Sequence, residues 1–442
     1  MKRFLLIPIL LCLAAAASAQ GFDDDFDGGT LRLDYLFSGS ADRQAIHFRE
    51  AVRSSEWAGR RSRLQAPLLK GNGCIEVLDP EDGKVLYANS FSTLFQEWQA
   101  TEEATKVDRA FENCFQVPFP KRKVNIRVRL YDIRGAVSSE LVHPFDPEDI
   151  LVRPAADPGY PVYTVHRGGD PASCVDIAIL AEGYTAAEMG KFIADAQCYG
   201  EALLSHEPFA SMRDRFNIVA VGAFSPESGV SIPHDGKWVR TAAGSHFDTF
   251  YSDRYLTTSR MCAVYDALSG VPFEHIILLV NTSVYGGGGI YNNITLCSAG
   301  HPSSPVVFVH EFGHEFGGLG DEYYYDDQYS SIYPADTEPW EPNLTTLVDF
   351  GSKWADMLEK GTKVPTAPDE IEKQDVRRIW ETLSPEVQER LNTKVGVYEG
   401  GGYQSRGVYR PVQECRMKIN ECRDFCPVCT RALIRMVDYY TD

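Results

Sequence analysis

The stretch SSPVVFVHEFGHEFGGLGDEYYY, residues 303–325, decides what the second half of this chain folds into. A serine followed by a proline, as at Ser304, is typical of a helix start, and a glycine pair, as at Gly317, is typical of a helix end. Between these signals, His310 and His314 lie four residues apart, about one helical turn. Imidazoles at this spacing leave the same face of a helix. The sequence therefore predicts a helix that carries two histidines side by side.

The two histidines of this helix are candidate metal ligands, and a carboxylate, that of Glu311, lies next to them. Neutral imidazoles are ligands for zinc, and a zinc ion held by three protein side chains retains one position for water. Zinc lowers the pKa of that water to about 7, and Glu311, next to His310, is positioned to accept its proton. The His-Glu-x-x-His pattern also arises by chance, so two hydrogen-bonded histidines on an ordinary helix are the alternative. The helix signals on both sides favour the metal site.

A third ligand is expected from the segment that follows the helix. Glycines at positions 317, 318 and 320 permit tight turns with positive φ. Asp321 is the first acidic residue after them, so an abrupt turn would bring its carboxylate back to the metal. Adjacent residues of an extended segment point in opposite directions, so Asp321 and Glu322 are not both expected to face the metal. Glu322 and a more distant glutamate are the alternatives to Asp321.

Outward from the helix, the second half of the chain alternates buried strands with helices. Residues 175–185, 216–225 and 274–284 are apolar runs typical of buried strands, and residues 186–209 have the pattern of a long amphipathic helix. The segment GIYNNITLCSA, residues 289–299, alternates like an edge strand. This order predicts an α/β region with a mixed sheet.

The first part of the chain has a different pattern. Segments such as TLRLDYLFSG (residues 30–39) and VNIRVRLYDI (residues 124–133) alternate apolar and polar residues and end in turn-forming residues. The pattern predicts an antiparallel β-sandwich of about 130 residues. Residues 154–159, PAADPG, are typical of a linker between this sandwich and the region that follows.

The first twenty residues, MKRFLLIPILLCLAAAASAQ, have the layout of a secretory signal peptide. Lys2 and Arg3 precede an apolar run, and a small-residue cleavage site ends at Ala19. An N-terminal membrane anchor is the alternative, but the apolar run is short, and no later stretch approaches the ~20 apolar residues that span a bilayer. We expect cleavage after Ala19 and a secreted or periplasmic protein with no membrane span.

The charge balance excludes some classes of partner. The 442 residues include 43 Lys and Arg against 62 Asp and Glu, a formal net charge of −19. A nucleic-acid surface needs clustered positive charge, and adsorption to anionic membranes needs it too. We therefore expect no nucleic-acid partner.

Ten cysteines remain once Cys12 of the expected signal peptide is set aside. An even number in an oxidising compartment favours disulfides over free thiols. Four of them lie between Cys415 and Cys429, and two of these form the motif CPVC. A disulfide-linked C-terminal lobe is the prediction, and a structural zinc site made of four thiolates is the alternative.

The run HEFGHEFGGLGDEY, residues 310–323, resembles the zinc motif of the immunoglobulin-A metallopeptidase family of secreted bacterial endopeptidases. Three later segments also fit that family: YEGGGYQSRGVYRP (398–411), ECRMK (414–418) and FCPVCTRALI (425–434). The resemblance covers roughly residue 175 to the C-terminus, and the β-rich N-terminal part resembles the family's accessory domain.

This resemblance implies a metzincin-like catalytic domain with one zinc ion (Zn2+) on His310, His314 and Asp321, and with Glu311 as general base. In the metzincin pattern the third ligand falls ten residues after the first histidine. That position is a glycine in this chain, so Asp321 is one residue late and the turn must differ locally. Met417 would correspond to the methionine turn beneath the zinc, with an ordinary core methionine as the alternative.

Together these features predict an α+β or α/β fold with an N-terminal antiparallel β-sandwich and a mixed-sheet zinc peptidase domain containing the active-site helix. The expected domains are a signal peptide at 1–19, an accessory sandwich at 20–158 and a zinc metallopeptidase domain at 159–442. The expected function is a secreted zinc endopeptidase acting on a protein or glycoprotein substrate. The alternatives are a weakly active or inactive glycan- or protein-binding protein that uses the sandwich, and a zinc amidase or deacetylase.

Two further features are candidates for contact with substrate. Tyr323, Tyr403 and Tyr409 each carry a hydroxyl that can stabilise an oxyanion, although packing is the alternative for any tyrosine. The glycine-rich loop at residues 285–289 would let a substrate strand pair along residues 290–295. A flexible connector is the alternative for this loop.

Overall fold

The computed structural model describes residues 21–54, 56–325 and 332–442. The expected signal peptide at residues 1–19 lies outside the described residues. Within the described ranges, no helix combines the length and the apolar composition needed to cross a membrane. The fold is mixed α/β, and the described residues form four sheets.

Two four-stranded sheets make up the N-terminal region. Its elements are α1 (Phe22–Asp25), β1 (Phe26–Ser40), β2 (Arg43–Ser54), β3 (Gly73–Leu78), β4 (Val85–Phe91), α2 (Leu94–Gln99), β5 (Arg109–Pro120), β6 (Val124–Tyr131), β7 (Val137–Phe145) and β8 (Arg153–Pro154). One sheet has the order β5-β1-β2-β8 and the other β4-β3-β6-β7. All neighbouring strands are antiparallel except β2 and β8.

The two N-terminal sheets share one hydrophobic core. Leu31 and Leu33 of the first sheet and Ile126 and Val128 of the second belong to the same buried cluster. Along β6, buried and half-buried residues alternate, because successive side chains of a strand point to opposite faces. The two sheets therefore pack face to face, as the alternating pattern predicts.

A six-stranded mixed sheet is the centre of the following region. Its elements are β9 (Val162–Arg167), β10 (Val175–Glu182), α3 (Met189–Leu204), β11 (Phe216–Val221), α4 (Met261–Ala267), β12 (His275–Val280), β13 (Gly287–Ile290), β14 (Ile294–Ser298) and α5 (Ser304–Gly317). The order is β13-β14-β12-β10-β11-β9. The four inner strands are parallel, and the two edge strands are antiparallel to their neighbours. Every residue of β10 and β12 is buried, which explains their continuous apolar sequences.

The predicted edge strand at residues 289–299 is in fact a hairpin of two strands. The outer strand is β13, while β14 pairs with β12 on one side and β13 on the other. The prediction that a substrate strand pairs along residues 290–295 is therefore wrong, because β14 lies inside the sheet. The new edge is also partly covered, since the N–H of Leu256 donates to the carbonyl of Gly287 at 3.3 Å.

The last part of the chain adds a small sheet and three helices. Its elements are β15 (Tyr324–Tyr325), α6 (Val376–Ile379), α7 (Pro385–Thr393), β16 (Tyr398–Gly401), β17 (Tyr403–Arg410) and α8 (Pro427–Thr441). The strand order is β15-β17-β16. Because β15 begins three residues after Asp321, its pairing with β17 fixes the end of the turn that follows α5.

Helix α8 contacts both halves of the molecule. Leu433 and Met436 belong to the core that α5 forms with one face of the mixed sheet. At the other end of α8, the Tyr439 hydroxyl donates to the carbonyl of Ala66 at 3.1 Å, and the Arg60 guanidinium lies 4.5 Å from the centre of the Tyr439 ring. The C-terminal helix thus joins the mixed sheet to the N-terminal region.

Candidate metal centre

Helix α5 ends where the glycines predict. Gly318 has a φ of +58°, a left-handed conformation that favours glycine, and its N–H donates to the carbonyl of His314 at 3.0 Å. The chain then turns back, and the Asn343 amide holds the turn by accepting from the N–H of Gly320 at 2.8 Å and donating to its carbonyl at 2.9 Å. This reversal brings Asp321 beside the histidines of the helix.

Three ligand atoms meet at this point. Nε2 of His310 lies 3.0 Å from Nε2 of His314, and Oδ1 of Asp321 lies 3.1 Å from the first and 3.2 Å from the second. A tetrahedral zinc ion with bonds of about 2.0–2.1 Å separates its ligand atoms by about 3.3 Å. The three predicted ligands are therefore brought together at a spacing that fits such an ion.

Backbone carbonyls fix the opposite side of each imidazole. Nδ1 of His310 donates to the carbonyl of Arg416 at 3.0 Å, and Nδ1 of His314 donates to the carbonyl of Leu319 at 2.5 Å. A proton on Nδ1 leaves the lone pair on Nε2, which is the tautomer that a metal ligand requires. Both rings therefore direct a lone pair to the same point.

The Asp321 carboxylate faces two environments. Its Oδ2 accepts a hydrogen bond from the Tyr403 hydroxyl, whereas its Oδ1 is buried and accepts no hydrogen bond from the described residues. Burial acts to raise the pKa of Asp321, but His314 and His310 hold it well below the usual range. Burial lowers the pKa of His314, and Asp321 more than offsets this and raises it to about 9. A positive charge between these three atoms therefore suits the cluster, and a divalent cation would supply one.

Glu311 lies on the same helix, between the histidines and β13. Its burial raises the pKa of its carboxyl group, which makes the carboxylate a stronger base. The helix approaches β13 closely. A Cβ added at Gly287 would lie 3.1 Å from Oε1 of Glu311, and a Cβ added at Gly289 would lie 2.2 Å from the backbone carbonyl oxygen of Glu311. The glycines of β13 therefore allow α5 to lie directly against the edge of the sheet.

Comparison with protein families agrees with this arrangement. Residues 164–437 match the family model described as IgA Peptidase M64, which is more than half of the chain, and residues 21–142 match the model described as Peptidase M64 N-terminus. The chain belongs to the IgA peptidase M64 family. The predicted resemblance is thus confirmed, and membership of M64 implies a metallopeptidase with a protein substrate. A comparison with curated proteins gives no match.

Met417 of this M64 peptidase lies against helix α5. It is fully buried, and its Sδ would be 3.0 Å from a Cβ added at Gly313, the residue before His314. Its carbonyl accepts a hydrogen bond of 2.8 Å from the N–H of Glu322. Met417 is therefore a core residue that also supports the helix and the turn on which the three ligand atoms lie.

The three candidate tyrosines have different surroundings in this M64 peptidase. Tyr403 donates to Asp321, and the ring of Tyr323 packs against that of Tyr403 with centroids 5.2 Å apart. Tyr409 instead pairs through its backbone with Thr345. The Tyr403 hydroxyl is therefore placed to hold the Asp321 carboxylate in position.

The predicted disulfides do not form. All ten cysteines of the described residues are free thiols. Sγ of Cys415 lies 3.9 Å from Sγ of Cys429, whereas a disulfide bond measures about 2.05 Å. The C-terminal lobe is therefore not disulfide-linked in this structure, because three of its sulfurs converge with the carboxylate of Glu322 instead of pairing with each other.

Sequence reasoning missed several residues that shape the M64 site. Asn343, which holds the turn, lies in a loop whose sequence carries no pattern of its own. Glu97 on α2 belongs to the N-terminal region, yet it accepts a hydrogen bond from Tyr255, which lies beside β13. Burial raises the pKa of Glu97 to about 7, and its charge interacts with His314 and Glu311. The N-terminal region thus contributes a carboxylate to the surroundings of the site, which its strand pattern could not reveal.

Proposed function

We propose that this chain is a secreted, zinc-dependent endopeptidase that cleaves internal peptide bonds of a protein or glycoprotein substrate. The observation that carries the proposal is the convergence of two imidazole nitrogens and one carboxylate oxygen at 3.0–3.2 Å. Family membership supports the class of reaction. The signal-peptide pattern of residues 1–19 supports secretion.

His310, His314 and Asp321 would hold one catalytic zinc ion. Zinc in such a site supplies a water of lowered pKa and polarises the carbonyl of the scissile bond. Three protein ligands leave one position for water or substrate. The side chains of His310 and His314 are 13% and 15% exposed, so the two rings are not sealed from solvent, as a site for water and substrate requires.

Glu311 is the general base of the proposed reaction. Its carboxylate accepts a proton from the attacking water and then delivers this proton to the leaving amine nitrogen. Its raised pKa supports both steps, because a stronger base accepts the proton more readily and the resulting acid lies closer to neutral pH. Tyr403 keeps Oδ2 of Asp321 occupied, so Oδ1 stays directed towards the two histidines.

We further infer that the catalytic domain is metzincin-like. Two observations support this: Met417 packs against the active-site helix at Gly313, and the chain reverses over glycines before it reaches the third ligand. Asp321 is one residue later than the metzincin spacing, and the amide of Asn343 binds the extra residue, Gly320, on both its N–H and its carbonyl.

Metal removal and readdition test the proposed function. The full chain is treated with a strong chelator, dialysed and reconstituted with zinc, and each form is incubated with an unbiased peptide library that is analysed by mass spectrometry. We expect cleavage of internal peptide bonds to disappear with the metal and to return with zinc. Full cleavage by the metal-free protein would contradict the proposal. Release of only acyl groups or side-chain amides would favour an amidase or deacetylase, and zinc binding without any hydrolysis would favour a binding protein.

A further inference from the structure

A second cluster of metal-ligating side chains lies next to the first. Glu322, Cys415, Cys426 and Cys429 place one carboxylate oxygen and three sulfurs within 4.8 Å of one another. Sγ of Cys429 lies 3.9 Å from Sγ of Cys415 and 3.2 Å from Oε1 of Glu322. In a tetrahedral zinc site with Zn–S bonds of about 2.3 Å, sulfurs are about 3.8 Å apart, and sulfur and oxygen about 3.6 Å. The observed sulfur–sulfur distance is close to this value, and the sulfur–oxygen distance is about 0.4 Å shorter.

One atom of this cluster lacks a partner. All four residues are fully buried. Oε1 of Glu322 accepts a hydrogen bond from the Asn343 amide at 2.9 Å, but Oε2 is buried and has no hydrogen-bond partner among the described residues. A buried carboxylate oxygen without a partner is costly, because it loses its water and gains nothing in return. A cation at the centre of the cluster would remove this cost.

Two backbone N–H groups donate to sulfurs of this cluster, and such hydrogen bonds stabilise a thiolate. The N–H of Cys426 donates to Sγ of Cys415 at 3.3 Å, and the N–H of Cys429 donates to Sγ of Cys426 at 3.5 Å. Cys426 and Cys429 also lie at the N-terminus of α8, where the helix dipole stabilises negative charge. Thiolates are the form of cysteine that binds zinc.

The ligand set differs from the four cysteines that the sequence suggests. Sγ of Cys422 lies 3.7 Å from the carbonyl of Asp424 and 3.4 Å from the side-chain nitrogen of Asn392, outside the cluster. Glu322 takes the fourth place instead, although it lies far from the cysteines along the chain.

A third group of buried ligand-type side chains differs from this cluster in how its carboxylate is paired. Asp34, Cys114 and Cys262 also lie together and are buried. There, however, the Arg32 guanidinium donates to both oxygens of Asp34 at 2.7 Å each, so the carboxylate is already neutralised. The orphan oxygen of Glu322 and its three neighbouring sulfurs set the second cluster apart from such an ion pair.

We propose that Glu322, Cys415, Cys426 and Cys429 bind a structural zinc ion that is separate from the catalytic one. The ion would join the turn after Asp321, the segment that contains Met417, and the start of α8. Full burial and metal binding together would protect these thiols from oxidation in an oxidising compartment.

This structural ion would also act on the catalytic site through the backbone. Arg416, which accepts the hydrogen bond from His310, directly follows Cys415, and Glu322 directly follows Asp321. Fixing Cys415 and Glu322 therefore fixes the orientation of one catalytic ligand and the position of another. The two ligand sets share no residue, so this proposal stands independently of the proposed function.

Zinc stoichiometry of the purified full chain tests the proposal. Elemental analysis is expected to find two zinc ions in the wild type, one in Cys426→Ser and one in His310→Ala. Cys422→Ser is the matched control and is expected to retain two, because its sulfur lies outside the cluster. An equal zinc content in Cys426→Ser and the wild type would overturn the structural site. An equal content in His310→Ala and the wild type would overturn only the catalytic site.

If Cys426→Ser does not fold, X-ray absorption on the wild-type protein still tests the proposal. Zinc-edge X-ray absorption of the wild type is expected to show sulfur at about 2.3 Å in addition to nitrogen and oxygen at about 2.0 Å. A spectrum with nitrogen and oxygen alone would overturn the proposal. Detection of a disulfide between any two of Cys415, Cys426 and Cys429 by non-reducing peptide mapping would overturn it as well.

Discussion

The last residue of the first ligand cluster, Asp321, is followed directly by the first residue of the second, Glu322, yet the clusters differ in exposure, in ligand number and in ligand type. Asp321 faces two histidines that remain 13% and 15% exposed, whereas Glu322 faces three cysteines that are fully buried. The first cluster has three ligands of nitrogen and oxygen. The second has four, three of which are soft sulfurs.

This difference reflects what each site has to do. A catalytic metal must keep one coordination position for water or substrate, so the protein supplies three ligands and leaves an opening. A structural metal is surrounded completely by the protein. Two adjacent residues contribute to the two clusters, because the carboxylate of Asp321 lies beside the histidines and that of Glu322 lies beside the cysteines. Exposure and ligand number are therefore the features that support the proposed role of each cluster.

Among variants that keep both zinc ions, the largest loss of activity is expected from Glu311→Gln, which removes the base and leaves both ligand sets intact. We expect kcat/KM to fall by roughly 10²–10⁴-fold, because the amide cannot accept the proton, while the zinc content stays unchanged. Initial rates and elemental analysis measure the two quantities. The matched control is Glu315→Gln on the same helix, where the carboxylate binds His275 at 2.8 Å. This control is expected to lower the thermal stability and to leave the folded enzyme active. A Glu311→Gln enzyme with wild-type rates would place the general base elsewhere.

Changing Asp321 and Glu322 one at a time tests which of the two carboxylates binds which zinc ion. Asp321→Ala is expected to abolish activity and to lose the zinc bound through nitrogen and oxygen, because only two protein ligands remain. Glu322→Gln is expected to retain that zinc and to weaken the sulfur-bound one. X-ray absorption at the zinc edge distinguishes the two ions in each purified variant. If Glu322→Gln loses the nitrogen-bound zinc and Asp321→Ala keeps it, the assignment of the catalytic ligand is wrong by one residue.

A smaller effect is expected from Tyr403→Phe, which tests how much the hydroxyl next to Asp321 contributes to binding of the catalytic zinc. The change removes the hydroxyl that donates to Oδ2 of Asp321 and leaves all three ligands in place. We expect the affinity for the catalytic zinc to fall by about 10–100-fold, the usual cost of losing an outer hydrogen bond to a ligand. Competition with a chromogenic chelator measures the affinity. Tyr409→Phe on the same strand is the control, and an equal loss there would indicate a general effect on the sheet.

The parts of the site that the sequence predicted are encoded locally. The helix from Ser304 to Gly317 has its start signal, its stop signal and its two histidines within one short stretch. Asp321 could be inferred because it is the first carboxylate after the glycines that reverse the chain. Such features depend on neighbours in the sequence, so periodicity and turn chemistry are sufficient to find them.

The parts that the sequence could not predict depend on contacts between distant segments. The hairpin of β13 and β14 was missed because the apolar alternation continues through its turn, where Asn292 adopts a φ of +47°. The four clustered cysteines suggested disulfides or a four-thiolate site, because nothing near them in the sequence indicates that Glu322 replaces Cys422. Glu97 and Asn343 reach the site only through tertiary packing.

The position of α8 has a consequence for the cooperativity of unfolding. Its N-cap residue, Cys426, and its first turn, with Cys429, supply two of the four residues of the buried cluster, and its last turn packs on Arg60 and Ala66 of the N-terminal region. Neither half of the molecule can open without releasing one end of this helix. We therefore expect scanning calorimetry to show one transition for both halves, with equal calorimetric and van't Hoff enthalpies, where two loosely joined domains would give two.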